Sequence, residues 1–286
     1  MFARAMELDA CHLSQLLEEA DWRRPAHIFI ANQAHAEIAR VERGYGEAPS
    51  GRFWGRMTAH GPTMTAWFGD NRVACIGPGN PEHADALRRV ALGSERGFRI
   101  LIGPREVTQS FLSAIRDRVR VDFERSQAFL VVEDALVLGP GLHARTATPA
   151  DVEWLVDASL SLNEEDLHLA RHKVDRKILT RRVYERSLAG TSWIADEGGH
   201  PVCKLEVGSM GPAGALIEGV YTEAAHRGRG LARRLVATVA AELLATSTKV
   251  GLHVGRDNEA ARAAYHAAGL REVDDLWIAL LNWDRR

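Results

Sequence analysis

Three β-patterned runs follow one another, Thr191 to Ala195, Val202 to Val207 and Ala215 to Thr222, and glycine-rich turns separate them at Gly198-Gly199 and Gly208-Ser209-Met210-Gly211-Pro212. Turns this short force neighbouring strands to run antiparallel. The period then changes: Leu231, Leu235, Val239 and Leu243 share one face of a long helix, Val250 to Val254 reads as a strand, Glu259 to Ala267 as a helix and Leu276 to Leu281 as a last strand. A meander followed by α, β, α, β with one crossover is the order of an α+β fold on a mixed sheet.

The connection from the third strand to the long helix is His226-Arg227-Gly228-Arg229-Gly230-Leu231-Ala232. Glycines let a backbone approach a ligand closely, and the unpaired N–H groups of a helix N-terminus, with the helix dipole behind them, favour negative charge. The expectation is an anion cradle wide enough for a pyrophosphate; Arg233 and Arg234, one turn into the helix, are within reach of phosphates, although solvated arginines are the commoner outcome at such positions. A dinucleotide fingerprint is excluded, because G-x-G-x-x-G requires glycine where Arg233 stands and requires a β-α-β start.

The first half is organised similarly but less distinctly. A helix is expected from about Leu8 to Ala20, then an irregular stretch, then strands from Arg52 to Ile76 with turns at His60-Gly61-Pro62 and Gly69-Asp70-Asn71. A helix from about Glu82 to Leu92, a strand at Phe98 to Ile102, a helix from Glu106 to Val119 and a strand at Phe129 to Val132 follow. Gly139-Pro140-Gly141 punctuates the chain, and the pattern starts afresh after it with a strand near His143, a Thr148-Pro149-Ala150-Asp151 helix start and a second helix from about Lys173 to Leu188. Two modules are expected, residues 1–140 and 141–286, in keeping with ordinary domain sizes of ~100–150 residues.

A formal net charge of -2 over 286 residues leaves no chain-wide electrostatic footprint for nucleic acid, so a bound anion must be held locally. No apolar run approaches the ~20 residues of a spanning helix, and Met1 to Glu7 is too polar for a signal peptide, so a cytoplasmic location is expected. Cys11, Cys75 and Cys203 are far apart and the histidines form no ligand cluster, which argues against disulfides and against a metal.

The loop resembles the acyl-CoA loop of the GNAT superfamily of N-acetyltransferases, Q/R-x-x-G-x-G/A, through Arg227, Gly230 and Ala232. Leu252, Val254, Asn258, Ala261, Tyr265 and Gly269-Leu270 are similar to the family's later signature, L-x-V-x-x-x-N-x-x-A-x-x-x-Y-x-x-x-G-F/L. The resemblance covers roughly Leu142 to Leu281 and is nearest to a bacterial subgroup in which a degenerate GNAT-like segment precedes an active one. In the first half Gly77-Pro78-Gly79-Asn80 occupies the loop slot without the motif, so that half is expected not to bind CoA in the usual way.

The resemblance implies a GNAT fold in the C-terminal half and acetyl-CoA as co-substrate, held by Val220, Tyr221 and Thr222 of the strand, by Arg227, Gly228, Arg229, Gly230, Leu231 and Ala232 of the loop, and by Asn258 and Tyr265. It implies direct transfer of acetyl to an amine acceptor, without a metal and with Cys203 structural. An alkylamine with a pKa of ~10 must lose a proton before it attacks a thioester, so a base is required. Glu218 is the first candidate, directly or through water, and Glu206 the second. Tyr265 is the candidate acid for the departing thiolate. The alternative is a catalytically silent acyl-CoA-binding regulatory protein on the same fold. Acceptor identity and oligomeric state are not legible.

Overall fold

The computed structural model describes residues 5–44, 48–58, 61–93, 97–134 and 142–284. The chain divides into two compact units. The first comprises Met1–Phe129, Gly211–Ala213 and Val273–Arg286, the second Leu130–Met210 and Gly214–Glu272. This departs from a single cut at residue 140: that expected boundary lies outside the described residues, and the last strand, expected in the C-terminal module, groups with the first unit.

In the first unit the elements run β1 (Ala5–Glu7), α1 (Ala10–Glu18), α2 (Ile28–Glu42), β2 (Gly51–Thr58), β3 (Gly61–Gly69), β4 (Val73–Gly79), α3 (Arg88–Gly93), β5 (Ile100–Pro104), α4 (Arg105–Ile115) and β6 (Val119–Val132), whose last three residues pass into the second unit. The strand order is β1-β2-β3-β4-β5, with the final strand of the chain beside β5 and then β6. β1 to β4 are antiparallel, and β4 and β5 are parallel. Alternation along the strands builds a core on each face. Met64, Ala66, Ala74 and Ile76 meet Leu87, Phe111 and Leu112 on one side; Trp67 and Cys75 meet Leu13, Leu16 and Ile30 on the other. Each fully buried Leu or Phe is worth roughly 1.5–3 kcal/mol.

The sequence reading left α2 as an irregular stretch, and the structure corrects it. Its buried positions are Ile28, Ile30, Ala31, Asn32 and Ala34, so small and polar residues stand where a hydrophobic stripe is sought. Asn32 is buried because its Oδ1 accepts the backbone N–H of Ala213 at 3.0 Å.

The second unit contains β7 (Ala144–Thr146), α5 (Val152–Leu167), α6 (Arg176–Leu188), β8 (Ser192–Glu197), β9 (His200–Gly211), β10 (Gly214–Thr222), α7 (Leu231–Leu244), β11 (Val250–Gly255) and α8 (Glu259–Ala267). Its strand order is β7-β8-β9-β10-β11, antiparallel through β7-β8-β9 and parallel between β10 and β11. The helix start expected at Thr148 is a capping box with Asp151, followed by a 3-10 turn from which α5 continues. Leu155, Val156 and Leu160 of α5 pack with Val183 of α6 and Ile194 of β8.

The last element, β12 (Arg271–Trp283), pairs antiparallel with β5 from Leu276↔Pro104 to Leu280↔Ile100. Ala279 and Leu281 belong to the first unit's core. Apolar side chains on consecutive positions suit a strand buried on both faces, and such a pattern does not say in which sheet the strand lies. In both units an antiparallel meander is followed by one parallel step, so the mixed α+β class holds along the whole chain.

Candidate functional site

The strand-to-helix connection of the second unit is a 3-10 turn, Ala224–His226, followed by four residues and α7. Gly228 and Gly230 have φ of 73° and 71°, the left-handed region that an L side chain rarely adopts. Space beside Gly228 is open: a β-carbon there would meet nothing within 4 Å. Gly230 is the N-cap of α7 and no side chain caps that terminus, so the first-turn N–H groups are left for solvent or a ligand. Leu231, Leu235, Val236 and Val239 are buried and anchor the helix on the sheet.

The loop arginines are tethered. Arg227 donates from Nε to the carbonyl of Thr222 at 2.9 Å, pairs with Glu165 at 2.7 Å and lies over the ring of Tyr221 at 5.5 Å. Arg229 pairs with Glu197 at 2.7 Å, and the Nδ1 of His226 meets the same carboxylate at 3.0 Å. Hydrogen bonding from His226, with Arg229 beside it, lowers the Glu197 pKa. Arg234, in the first turn of α7, has a buried Nε without a partner. Both loop arginines are about half exposed and already hold a carboxylate, so a phosphate would have to share them or rely on the N–H groups.

β10 and β11 pair only at Ala215↔Val250 and Leu216↔Gly251. Beyond that ladder the backbone of β10 continues through Val220 and Tyr221 without a β11 partner. Gly219 has φ of 61°, which breaks the alternation of the strand at the residue after Glu218. Glu218 accepts from Arg186 of α6 at 2.7 Å, and its carboxylate is about two-fifths exposed. The same guanidinium also pairs with Glu206 of β9, whose other oxygen is 2.8 Å from Nζ of Lys204. Lys204 is fully buried, and burial together with the nearby Arg186 charge lowers its pKa. Of the two candidate bases, then, Glu206 is sequestered between two cations and Glu218 is the one solvent reaches.

Tyr265 is buried in α8, and burial pushes its phenol pKa up, with Asp166 and Cys203 adding to the shift. It is therefore a protonated donor at neutral pH. Cys203 sits 3.2 Å from the hydroxyl of Thr222, and burial raises its thiol to about 11, which makes it a poor nucleophile. Asn258 is the N-cap of α8 and accepts the N–H of Ala261 at 3.1 Å. Thr222 and Tyr221 thus lie against Arg227 of the loop, while Glu218 is held by Arg186 of α6.

Residues 157–270 match the model of the acetyltransferase (GNAT) family. That segment is a GNAT-family domain. Solved structures share the fold over nearly the whole chain. A Drosophila protein aligns at TM-score 0.68 and 12% identity, covering 96% of this chain and 98% of its own. A GCN5-related N-acetyltransferase from Sphaerobacter thermophilus aligns at 0.56 and 16%, covering 99% and 96%. A tandem GNAT protein from the clavulanic acid biosynthesis pathway aligns at 0.52 and 14%, covering 97% and 98%. No curated protein sequence matches the chain.

Sequence reasoning anticipated the glycine-bearing turn before α7 and the helix that contains Tyr265, and did not single out Arg186, Lys204 or Gly219. A signal existed: Lys204 and Glu206 lie two apart in an otherwise apolar strand, hence on one face, and a buried charge demands a partner. In the first unit the corresponding helix start is arranged differently: Asn80 accepts the N–H of Glu82, and Pro81 has no N–H to offer at the start of the 3-10 helix Pro81–Leu87. Among the described residues no group of histidine, cysteine and carboxylate side chains could hold a metal, and no helix is long and apolar enough to cross a membrane.

Proposed function

We propose that the GNAT domain binds acetyl-CoA and transfers its acetyl group directly to a primary amine. The observation that carries this reading is the uncapped N-terminus of α7, reached through two left-handed glycines and set at the end of a strand whose neighbour has parted from it. N–H groups of the loop and of Leu231 and Ala232 take the pyrophosphate, with Arg227, Arg229 and the free Nε of Arg234 nearby. The open edge of β10 at Val220 and Tyr221 holds the acyl arm, and its N–H groups polarise the thioester carbonyl. Thr222 and Asn258 flank that arm.

Glu218 removes the ammonium proton of the acceptor, directly or through water, and Arg186 keeps its carboxylate oriented. The free amine attacks the carbonyl carbon, the C–S bond breaks as Tyr265 gives its proton to the departing thiolate, and the second proton of the nitrogen passes, directly or through water, to the Tyr265 phenolate, leaving a neutral amide. No acyl-enzyme is needed, in agreement with the raised pKa of Cys203.

The clamp of Arg186 on Glu218 also suits the alternative, a domain that binds acyl-CoA and regulates without turnover. Calorimetry with acetyl-CoA, combined with thiol release over a panel of amines for the native chain and Tyr265→Phe, separates the two. Binding with amine-dependent thiol release that falls on the order of a hundredfold in the variant supports the transferase. Binding without release on any amine favours regulation, and absence of binding removes the proposal.

A further inference from the structure

The first unit has a cavity of about 650 Å³ where β4 and β5 end. Their parallel ladder stops at Cys75↔Ile102, while the chains continue to Gly79 and Pro104. Pro78, Pro81 and Pro104 line the gap and stiffen it. The volume is in the range of small-molecule sites, roughly 300–1,000 Å³.

Three features face this space. The first turn of α4, Arg105 to Val107, lines it, and this 11-residue helix starts at Pro104 without a side-chain cap. His27 also lines it, is only 3% exposed, and has a buried Nδ1 without a hydrogen-bond partner. Finally, four carboxylates meet two guanidiniums. Asp274 pairs with Arg24, and Asp275 pairs with Arg105 at 3.0 Å, while Asp21 and Glu106 at the rim have no ion-pair partner among the described residues.

A simple anion would use the α4 terminus and His27 but meet those two surplus carboxylates. A simple cation would be drawn to Asp21 and Glu106 but leave the helix N–H groups and the orphan imidazole unsatisfied. A molecule that carries both charges satisfies every group. We infer that this cavity is a binding site for a small zwitterion of the α-amino-acid class, its carboxylate on the first turn of α4 beside Arg105 and His27 and its ammonium on Glu106 and Asp21. The site is built from first-unit residues alone and does not depend on the acyltransferase reading.

The test is calorimetry of the full chain against each standard α-amino acid. For the tightest binder, the matched alkylamine and alkanoate, each lacking one charge, are titrated next. Saturable binding of an amino acid, with each single-charge analogue weaker by at least about tenfold, is the expected result. Glu106→Gln and Arg105→Gln are largely exposed positions and keep the fold; each is expected to weaken the amino acid about tenfold while leaving acetyl-CoA titrations unchanged. The inference is overturned by no amino acid binding, by analogues binding equally well, or by affinity that both variants leave intact.

Discussion

A β-carbon on Gly208 would stand 2.3 Å from Oε2 of Glu218, so the carboxylate rests on the backbone of β9 where a side chain is missing. That contact, together with the 2.7 Å bond from Arg186, holds Glu218 in place across two strands and a helix. Gly208→Ala displaces the end of a flexible side chain, which is inexpensive: a stability loss below about 1 kcal/mol is expected. Turnover on an amine substrate is expected to fall at least about tenfold with acetyl-CoA affinity unchanged. In Glu218→Gln the same glycine change is expected to have little further effect on rate. Steady-state kinetics on the two single variants and the double variant check this, and additive losses would contradict the assignment.

Gly228 and Gly230 are expected to respond differently to alanine. Each substitution forces an L residue into the left-handed region, at roughly 1 kcal/mol by thermal or urea unfolding. At Gly228 the space is open, so strain is the main cost to the free protein. Because a ligand is proposed to occupy that space, acetyl-CoA affinity is expected to drop more than tenfold, roughly 1.4 kcal/mol or more, as measured by calorimetry.

His27 predicts a pH dependence of stability. Its pKa falls from 6.5 to about 4, chiefly because burial disfavours the charged form, with Arg24 adding repulsion. Between those two values the unfolded chain binds a proton that the folded chain refuses, so stability rises with pH across this window. The contribution is complete above pH 6.5 and is lost as pH falls toward 4, an effect of roughly 3 kcal/mol. Urea midpoints measured from pH 4 to 7 are expected to be flatter in His27→Phe. An equal slope in that variant would assign the dependence to other groups.

Asn258→Ala removes the cap of α8, seen as the 3.1 Å bond to Ala261. A loss of about 1 kcal/mol is expected from the cap alone. If the side chain also contacts the acyl arm, affinity for acetyl-CoA falls as well; Asn258→Asp, which keeps the cap, is expected to retain stability while still weakening binding. Paired unfolding and calorimetry on the two variants separate the roles.

Local chemistry made much of this protein readable in advance. The meander of β8 to β10, the glycine loop before α7 and the Thr148 helix start before α5 were legible because turns, left-handed glycines and caps depend on residues close in sequence. The candidate site's loop and Tyr265 were legible for the same reason. What was not legible depends on neighbours distant along the chain. α2 hides its buried face in alanines and an asparagine whose partner, Ala213, is 181 residues away. Arg186 meets Glu218 from a helix 32 residues earlier. β12 reads as a strand from its own apolar run, but its pairing with β5 follows from packing Ala279 and Leu281 into a core built by the first half of the chain. Sequence alone therefore determined the second unit's meander, the glycine-bearing turn before α7 and the helix that follows Asn258. Tertiary structure alone decided which charges pair, which carboxylate stays open to solvent and to which unit the last strand belongs, because burial and hydrogen-bond satisfaction are settled only when distant segments pack.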